Sequence, residues 1–306
     1  MKQHNRILAL ILALMLSLSL LTACGSTPAD QPPADPQPEQ SQPVEDQGSD
    51  AQQEETPAEN YTTEEVAFFR DDLQIYAQLM IPEGEGPFPV VILSHGYGGN
   101  HKQCLSNAKL LASQGVAACA FDFNGGGRGS QSAGDTKDMS VLTEAEDLSA
   151  VMDGLAAMPE IDASNMVLWG FSQGGFVSTY VATTRPEDVK ALVCYFPSYV
   201  LHDDAAKAMP DPNNIPEEME FMGLTIGRCY YADALSFNIY DMMPNYTGDV
   251  LLFHGTKDIL VPIEYSQRAA EVFPSVELVT VQDGAHGDLG PDANGKAVEF
   301  ILNHVK

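Results

Sequence analysis

From about residue 61 onward the sequence predicts an α/β fold, a mostly parallel twisted sheet with helices on both faces. Apolar runs alternate with amphipathic segments along this whole length, the pattern of repeated strand–helix–strand crossovers. The runs are apolar at consecutive positions, as strands buried on both faces require. Several end in short Gly-rich loops, and reactive groups of parallel sheets collect at such carboxyl ends.

The elements follow in order. EVAFFR and LQIYAQLMI flank Asp71-Asp72 and read as an antiparallel pair with a tight turn. VVILS (90–94) is a buried strand running into HGYGGN, residues 103–113 are helix-like, and GVAACAFDF (115–123) is a second buried strand. TEAEDLSAVMDGLAAM (143–158) is an amphipathic helix, and Thr143 with Glu146 three residues later predicts a capping box at its start. NMVLWG (165–170) predicts a strand, Gln173 to Thr184 a helix and VKALVCYF (189–196) a strand. DVLLFHG (249–255), VELVTV (276–281) and a last helix at 293–304 complete the set.

One span breaks the rhythm. Pro197–Gly248 lies between two core strands, is rich in Pro, Met and aromatics such as Tyr199, Phe221, Tyr230 and Tyr240, and far exceeds the roughly 2–6 residues such a connection needs. It reads as an inserted cap over a site at the strand ends. The plainer reading is an irregular extra layer that meets no substrate.

The N-terminal part is different in kind. Lys2 and Arg6 precede an apolar run from Ile7 to Leu21, the layout of a secretory signal and shorter than the roughly 20 residues a membrane-spanning helix needs. Leu21-Thr22-Ala23-Cys24 resembles the lipobox of bacterial lipoproteins. That resemblance implies a signal peptide over 1–23, lipidation of Cys24 and an extracytoplasmic protein anchored to the cell membrane. Secretion with a free Cys24, or an uncleaved anchor, stays open. Residues 25–60 have no aromatic and Val44 as the one β-branched aliphatic, so little can offset the entropy of ordering them. Such a tether would reach roughly 35 to 110 Å. The expected organisation is therefore 1–23 signal, 24–60 anchored linker and 61–306 folded domain, with 197–248 as its cap.

The formal charge is −28. Residues 25–65 hold 11 acidic residues and no Lys or Arg, which leaves −19 on residues 66–306 once Lys2 and Arg6 are set apart. An acidic domain has nothing to neutralise phosphates, so nucleic acid is not an expected partner, and it would not adsorb to anionic lipid. Five cysteines are too few for a disulfide scaffold in a domain of this size. Cys119 and Cys194 sit in apolar runs as buried hydrophobes, while the sequence leaves a Cys104–Cys229 pair undecided. There is no CxxC, so a structural metal is not expected.

The chemistry centres on LWGFSQGGF. Gly170-Phe171-Ser172-Gln173-Gly174 is G-x-S-x-G between a predicted strand and a predicted helix, the setting in which a sharp turn pushes a serine hydroxyl out over the sheet edge. A serine nucleophile needs a base, and the base needs an orienting acid. Of seven histidines, His4 lies in the signal and His304 in the last helix, while His101 and His202 sit in loops with no strand end beside them. His95 and His254 each precede a glycine at a strand end, where a structural role is commoner. His286 in QDGAHGDLG can reach back over the sheet, and Asp258 in LLFHGTKDILVP is the candidate acid. The oxyanion hole is expected from two backbone N–H groups, Gln173 at a helix N-terminus and Tyr97 in SHGYGGN.

SHGYGGN, FDFNGGGRGS, GFSQGG, HGTKDILVP and GAHG together resemble the α/β-hydrolase superfamily across residues 61–306. FDFNGGGRGS followed by MSVLTEAEDL is similar to its cinnamoyl/feruloyl esterase branch, related to the serine aminopeptidase-like hydrolases. The resemblance implies the α/β-hydrolase fold, a cap after the strand beyond the nucleophile, and oxyanion amides at Tyr97 and Gln173. It also implies a catalytic order of Ser172, Asp258 and His286. Ser172 stands where dehalogenases and epoxide hydrolases carry aspartate and dienelactone hydrolases cysteine, which implies acyl-enzyme chemistry, for which no cofactor is expected. Phe171 departs from the small residue or histidine many relatives have before the serine, and no cap residue matches the branch's phenol-binding groups.

The expected function is hydrolysis of a small-molecule carboxylic ester, short acyl or hydroxycinnamoyl, with the lipid membrane as partner through acylated Cys24. One alternative is a serine exopeptidase holding a free amine with Asp203, Asp204 or Glu217. The other is a non-catalytic solute-binding lipoprotein.

Overall fold

The computed structural model describes residues 60–290 and 292–305. The signal, Cys24 and nearly all of the tether lie outside the described residues. Ten strands are described, β1 (Tyr61–Arg70), β2 (Leu73–Pro82), β3 (Phe88–Ser94), β4 (Ala117–Phe121), β5 (Ile161–Phe171), β6 (Ala191–Tyr195), β7 (Glu218–Phe221), β8 (Leu224–Gly227), β9 (Asp249–Gly255) and β10 (Val276–Val281). The helices are α1 (Leu105–Ser113), α2 (Val141–Ala156), α3 (Gln173–Thr184), α4 (Leu201–Ala208), α5 (Arg228–Ser236), α6 (Ile239–Met242), α7 (Glu264–Val272) and α8 (Asp292–His304), with short 3₁₀ turns between.

Eight strands form one sheet in the order β1-β2-β4-β3-β5-β6-β9-β10. β1, β2 and β4 pair antiparallel, and every pairing from β4 to β10 is parallel. The mostly parallel sheet expected from the apolar runs is therefore present. Alternation along β5 explains the runs themselves. Met166 and Leu168 face the core under α2 and α3, while Val167 and Trp169 face the core under α1 and α8. Trp169 is fully buried, and truncating it would cost about 3–5 kcal/mol.

The chain reverses direction across the sheet between β3 and β5. β3 is followed by β4 on one side, and the next strand, β5, returns to the other side of β3. Loops diverge at such a switch point and leave a crevice at the carboxyl edge.

One local reading changes, and one left open is decided. α2 starts at Val141, two residues before the expected start, because the cap is Ser140. Its hydroxyl accepts from the Thr143 N–H at 3.2 Å while Thr143 Oγ1 accepts from the Ser140 N–H at 2.8 Å. Thr143 is thus the third helical residue of the box, and Glu146 takes no part in it. Cys104 and Cys229 are both free; the Cys229 thiol lies 3.3 Å from the Lys137 carbonyl. His101, in the turn after β3, is buried, with Nδ1 2.8 Å and its backbone N–H 2.6 Å from Asp122 Oδ1.

Residues 197–248 fold into α4, the β7–β8 hairpin, α5 and α6, with a core of their own around Ile215, Ile226, Tyr230 and Tyr231. Tyr199, Tyr240 and Tyr246 pack instead into the main core beside α3. Among the described residues no helix is long and apolar enough to cross a membrane.

Candidate active site

The turn after β5 explains the G-x-S-x-G pattern atom by atom. Ser172 sits at φ 52°, ψ −117°, a left-handed conformation costing a non-glycine residue about 1–3 kcal/mol. The Phe171–Gly174 turn brings α3 back so closely that a Cβ on Gly170 would run into the Gly174 carbonyl. One on Gly174 would run into the Ser94 carbonyl at the end of β3. Only glycine fits at either position. Gly96 lies against the serine as well, since a Cβ there would stand 3.2 Å from Ser172 Cβ.

Three candidate residues from three strand ends meet here. His286 Nε2 is 3.0 Å from Ser172 Oγ, and His286 Nδ1 is 2.7 Å from Asp258 Oδ2. An ionised Asp258 can only accept, so Nδ1 carries the hydrogen and Nε2 is left to accept from the serine hydroxyl. The Asp258 side chain is fully buried. Burial alone would push its carboxyl up, but hydrogen bonds from His254, His286 and the Val261 N–H outweigh it. They hold the carboxyl well below the ordinary carboxylate value. Its other oxygen accepts from the Leu260 and Val261 N–H groups, each at 2.9 Å.

The remaining histidines are accounted for by structure. His254 is buried, 2.7 Å from Ser266 Oγ and 2.8 Å from the Val261 carbonyl, and it braces the Asp258 loop. His95 is buried and held neutral by that burial. The Phe123 N–H donates to its Nε2 at 3.2 Å, so Nδ1 carries the hydrogen and donates to the Gly96 carbonyl at 2.8 Å. Within one peptide the C=O and N–H point opposite ways. Fixing the Gly96 carbonyl on His95 therefore turns the Tyr97 N–H away from it.

Among the described residues neither the Tyr97 nor the Gln173 backbone N–H has a hydrogen-bond partner. Gln173 is the first residue of α3, where an unpaired amide is expected. Its side chain is buried: Nε2 donates to Glu144 Oε2 at 2.8 Å and Oε1 accepts from Tyr230 Oη at 2.8 Å. Burial pushes the Glu144 carboxyl up to about 8, with the Gln173 hydrogen bond opposing and Asp147 adding to the rise. Glu144 thus keeps its proton at neutral pH.

The reading from sequence missed Ser198. Its Oγ lies 3.0 Å from Ser172 Oγ and its N–H donates to the Ser172 carbonyl at 3.0 Å. Position just past the end of β6, beside the elbow strand, was the one available signal. Of the candidate acids for a free amine, Asp203 is taken by Tyr265 Oη at 2.9 Å and Glu217 by Arg228 at 2.6 Å. Asp204 lines the cleft, with the Lys207 ammonium 3.4 Å from its Oδ1.

That cleft has a volume of about 860 Å³, with Ser172 and His286 in its wall. On the side of the inserted segment it is lined by Leu201, Phe221, Met222 and Tyr230, and on the other by Phe171, Tyr195 and Asn294. Phe171 stacks on Trp169 and meets Tyr195 edge to face, so this departure from the relatives forms part of the floor. Among the described residues no group of three or more His, Cys, Asp or Glu is placed to hold a metal ion.

Comparison with known proteins agrees with this architecture. Over 217 residues the chain is 27% identical to rat mitochondrial palmitoyl-protein thioesterase ABHD10, covering 66% of this chain and 70% of that protein. It is 28% identical over 113 residues to the quorum-quenching protein AidA of Acinetobacter baumannii, spanning only 36% of AidA's length and 36% of its own. Est1E of Butyrivibrio proteoclasticus, solved with ferulic acid bound, superposes with a TM-score of 0.70 at 24% identity, covering 78% of this chain and 99% of Est1E. Mouse ABHD10 superposes with a TM-score of 0.64 at 21% identity, covering 78% and 97%. These likenesses show the α/β-hydrolase fold. The model of the prolyl oligopeptidase family matches residues 102–306, and the chain belongs to that family of α/β-hydrolases.

Proposed function

We propose that the chain is a serine-dependent carboxylic ester hydrolase working through an acyl-enzyme, with Ser172 as nucleophile, His286 as base and Asp258 as orienting acid. The continuous run from Ser172 Oγ through His286 to Asp258, at 3.0 and 2.7 Å on the wall of the cleft, carries this reading. Ser172 Oγ attacks the ester carbonyl carbon and passes its proton to His286 Nε2, and Asp258 stabilises the imidazolium. The carbonyl oxygen, now negative, takes the Tyr97 and Gln173 N–H groups, each worth on the order of 3 kcal/mol. His286 then protonates the departing alkoxide. Water, deprotonated by the same imidazole, attacks the acyl-enzyme, releases the acid and restores Ser172.

Residues 197–248 act as the cap that shapes the acyl side. Phe221, Tyr230 and Leu201 give it apolar area suited to a short acyl or hydroxycinnamoyl group, and ferulic acid bound to the similarly folded Est1E supports that choice. Hydrolysis of p-nitrophenyl acetate and methyl ferulate by the purified chain, with Ser172→Ala as control, tests the proposal. Turnover of neither by a folded wild-type protein would overturn it.

Family membership and Asp204 in the cleft favour one second reading, an exopeptidase whose Asp204 holds the substrate amine. Hydrolysis of aminoacyl p-nitroanilides that is lost in Asp204→Asn would select it over the esterase. For location we propose a lipoprotein held outside the cell membrane through acylated Cys24, on the strength of the Leu21–Cys24 motif and the linker behind it. Radiolabelled palmitate incorporated by wild type and not by Cys24→Ala is the expected result.

A further inference from the structure

The two residues proposed to donate to the oxyanion come from different strand ends, yet the side chain of each is tied to the same inserted segment. Tyr97 Oη donates to the Phe221 carbonyl in β7 at 2.9 Å. Tyr230 Oη, from α5, donates to Gln173 Oε1, and the other end of that carboxamide donates to Glu144 in α2. The rings close the arrangement: Tyr97 meets Phe221 at 5.3 Å and Tyr230 at 5.6 Å, both edge to face, and Phe221 lies 5.6 Å from Tyr230.

Packing does not require these polar groups. Apolar side chains of similar size would fill the space between α2, α3 and α5 without the cost of burying a carboxyl, an amide and a phenol. Their location supplies the reason. The Gln173 carboxamide sits on the residue just after Ser172, which is itself held in a costly left-handed conformation. Held at both ends, the side chain removes the freedom of Gln173 to rotate out of place. Backbone donors stabilise an oxyanion strongly only when held in place before the charge forms.

We propose that Glu144 and Tyr230 are positioning residues for the oxyanion hole, which clamp the Gln173 carboxamide so that its backbone N–H is aligned only while the inserted segment is seated over the cleft. The proposal rests on Ser172 as the nucleophile. Seating of the cap and completion of the hole are then one event, with Tyr97 tied to the same segment at the second donor.

Steady-state kinetics of Tyr230→Phe, Glu144→Leu and Glu144→Gln, with Ser172→Ala alongside, separate the possibilities. Tyr230→Phe removes a single oxygen and preserves the packing, so it serves even where Glu144→Leu fails to fold. The expected result is a fall in kcat of about tenfold for Tyr230→Phe and Glu144→Leu, with KM within about twofold of wild type. Affinity for a trifluoromethyl ketone, whose adduct places an oxyanion in the hole, should fall in proportion. Glu144→Gln keeps an acceptor for Gln173 and is expected to recover at least about half of the wild-type kcat at pH 7. Variants that lower Tm but leave kcat and ketone affinity unchanged would overturn the proposal, as would Glu144→Gln losing as much as Glu144→Leu. Turnover surviving in Ser172→Ala would instead remove the reading on which it rests.

Discussion

The carbonyl oxygen of Ser94 occupies the space that a Cβ on Gly174 would need. This contact sets how closely the helix after the elbow approaches the end of β3, and so sets the distance between the Ser172 hydroxyl and the Tyr97 loop. Gly174→Ala is expected to lower kcat by at least about a hundredfold by displacing the elbow, with a fold loss on the order of 1–3 kcal/mol. Kinetics and a urea titration on the same preparation check both.

Asp258→Asn leaves the shape of the loop but offers His286 an amide where a carboxylate stood, which no longer enforces the productive tautomer. A fall in kcat of about 10³–10⁴ is expected. The substitution also reports on stability. Because the folded state holds the Asp258 carboxyl below its ordinary value of 3.8, its contribution is fully present above that pH and is lost as pH falls through the lower folded value. The stability deficit of Asp258→Asn should therefore be largest near pH 7 and shrink as the pH falls below 3.8.

Glu144 predicts the opposite slope. Its carboxyl is raised from 4.5 to about 8, so across that window the native state holds a proton the unfolded chain has released, and stability falls as pH rises. Glu144→Gln has no proton to lose. Its stability relative to wild type should grow between pH 4.5 and 8, by on the order of a few kcal/mol, and then level off. Urea titrations at four pH values across the window would show it.

Ser198 contributes one neutral hydrogen bond at Ser172 Oγ. With the Ser172 proton directed at His286, the Ser198 hydroxyl is the donor, and it holds the nucleophile in the rotamer that faces the imidazole. Removing a bond of about 1 kcal/mol predicts a fall of about fivefold in kcat/KM for Ser198→Ala, far short of the loss in Ser172→Ala. An unchanged kcat/KM would show that the Ser172 rotamer is set by His286 alone.

The inner strands were legible because both faces of a parallel sheet are buried, so each carries an unbroken apolar run, while the edge strand β10 is only partly buried and carries Glu277 and Thr280 among its apolar residues. DVLLFHG and VELVTV begin and end in the structure where the sequence places them. The residues now proposed as catalytic were legible for a related reason: they follow β5, β9 and β10, whose carboxyl ends share one edge. Residues whose roles depend on distant partners were not. His101 meets Asp122 across 21 positions, and Tyr230 meets Gln173 across 57, with no local pattern at either end. The inserted segment was visible as an interruption, but its β7–β8 hairpin turns at Met222-Gly223, where Met222 adopts φ 45° against its own preference. α7 escaped notice because its short apolar stripe, Tyr265, Ala269 and Val272, is set among polar and charged residues, and only Ser266 and Ala269 of its nine residues are fully buried. The cap of α2 was misread by three residues, because Ser140 precedes two apolar residues that look like the end of a loop.

Covalent labelling of the purified chain with diethyl p-nitrophenyl phosphate, followed by peptide mass mapping and assay of ester turnover, tests the central claim most directly. The account predicts a single diethylphosphoryl adduct on Ser172, activity lost in step with its formation, and neither adduct nor turnover in Ser172→Ala. A folded protein that forms no adduct, or ester turnover that survives in Ser172→Ala, would contradict it.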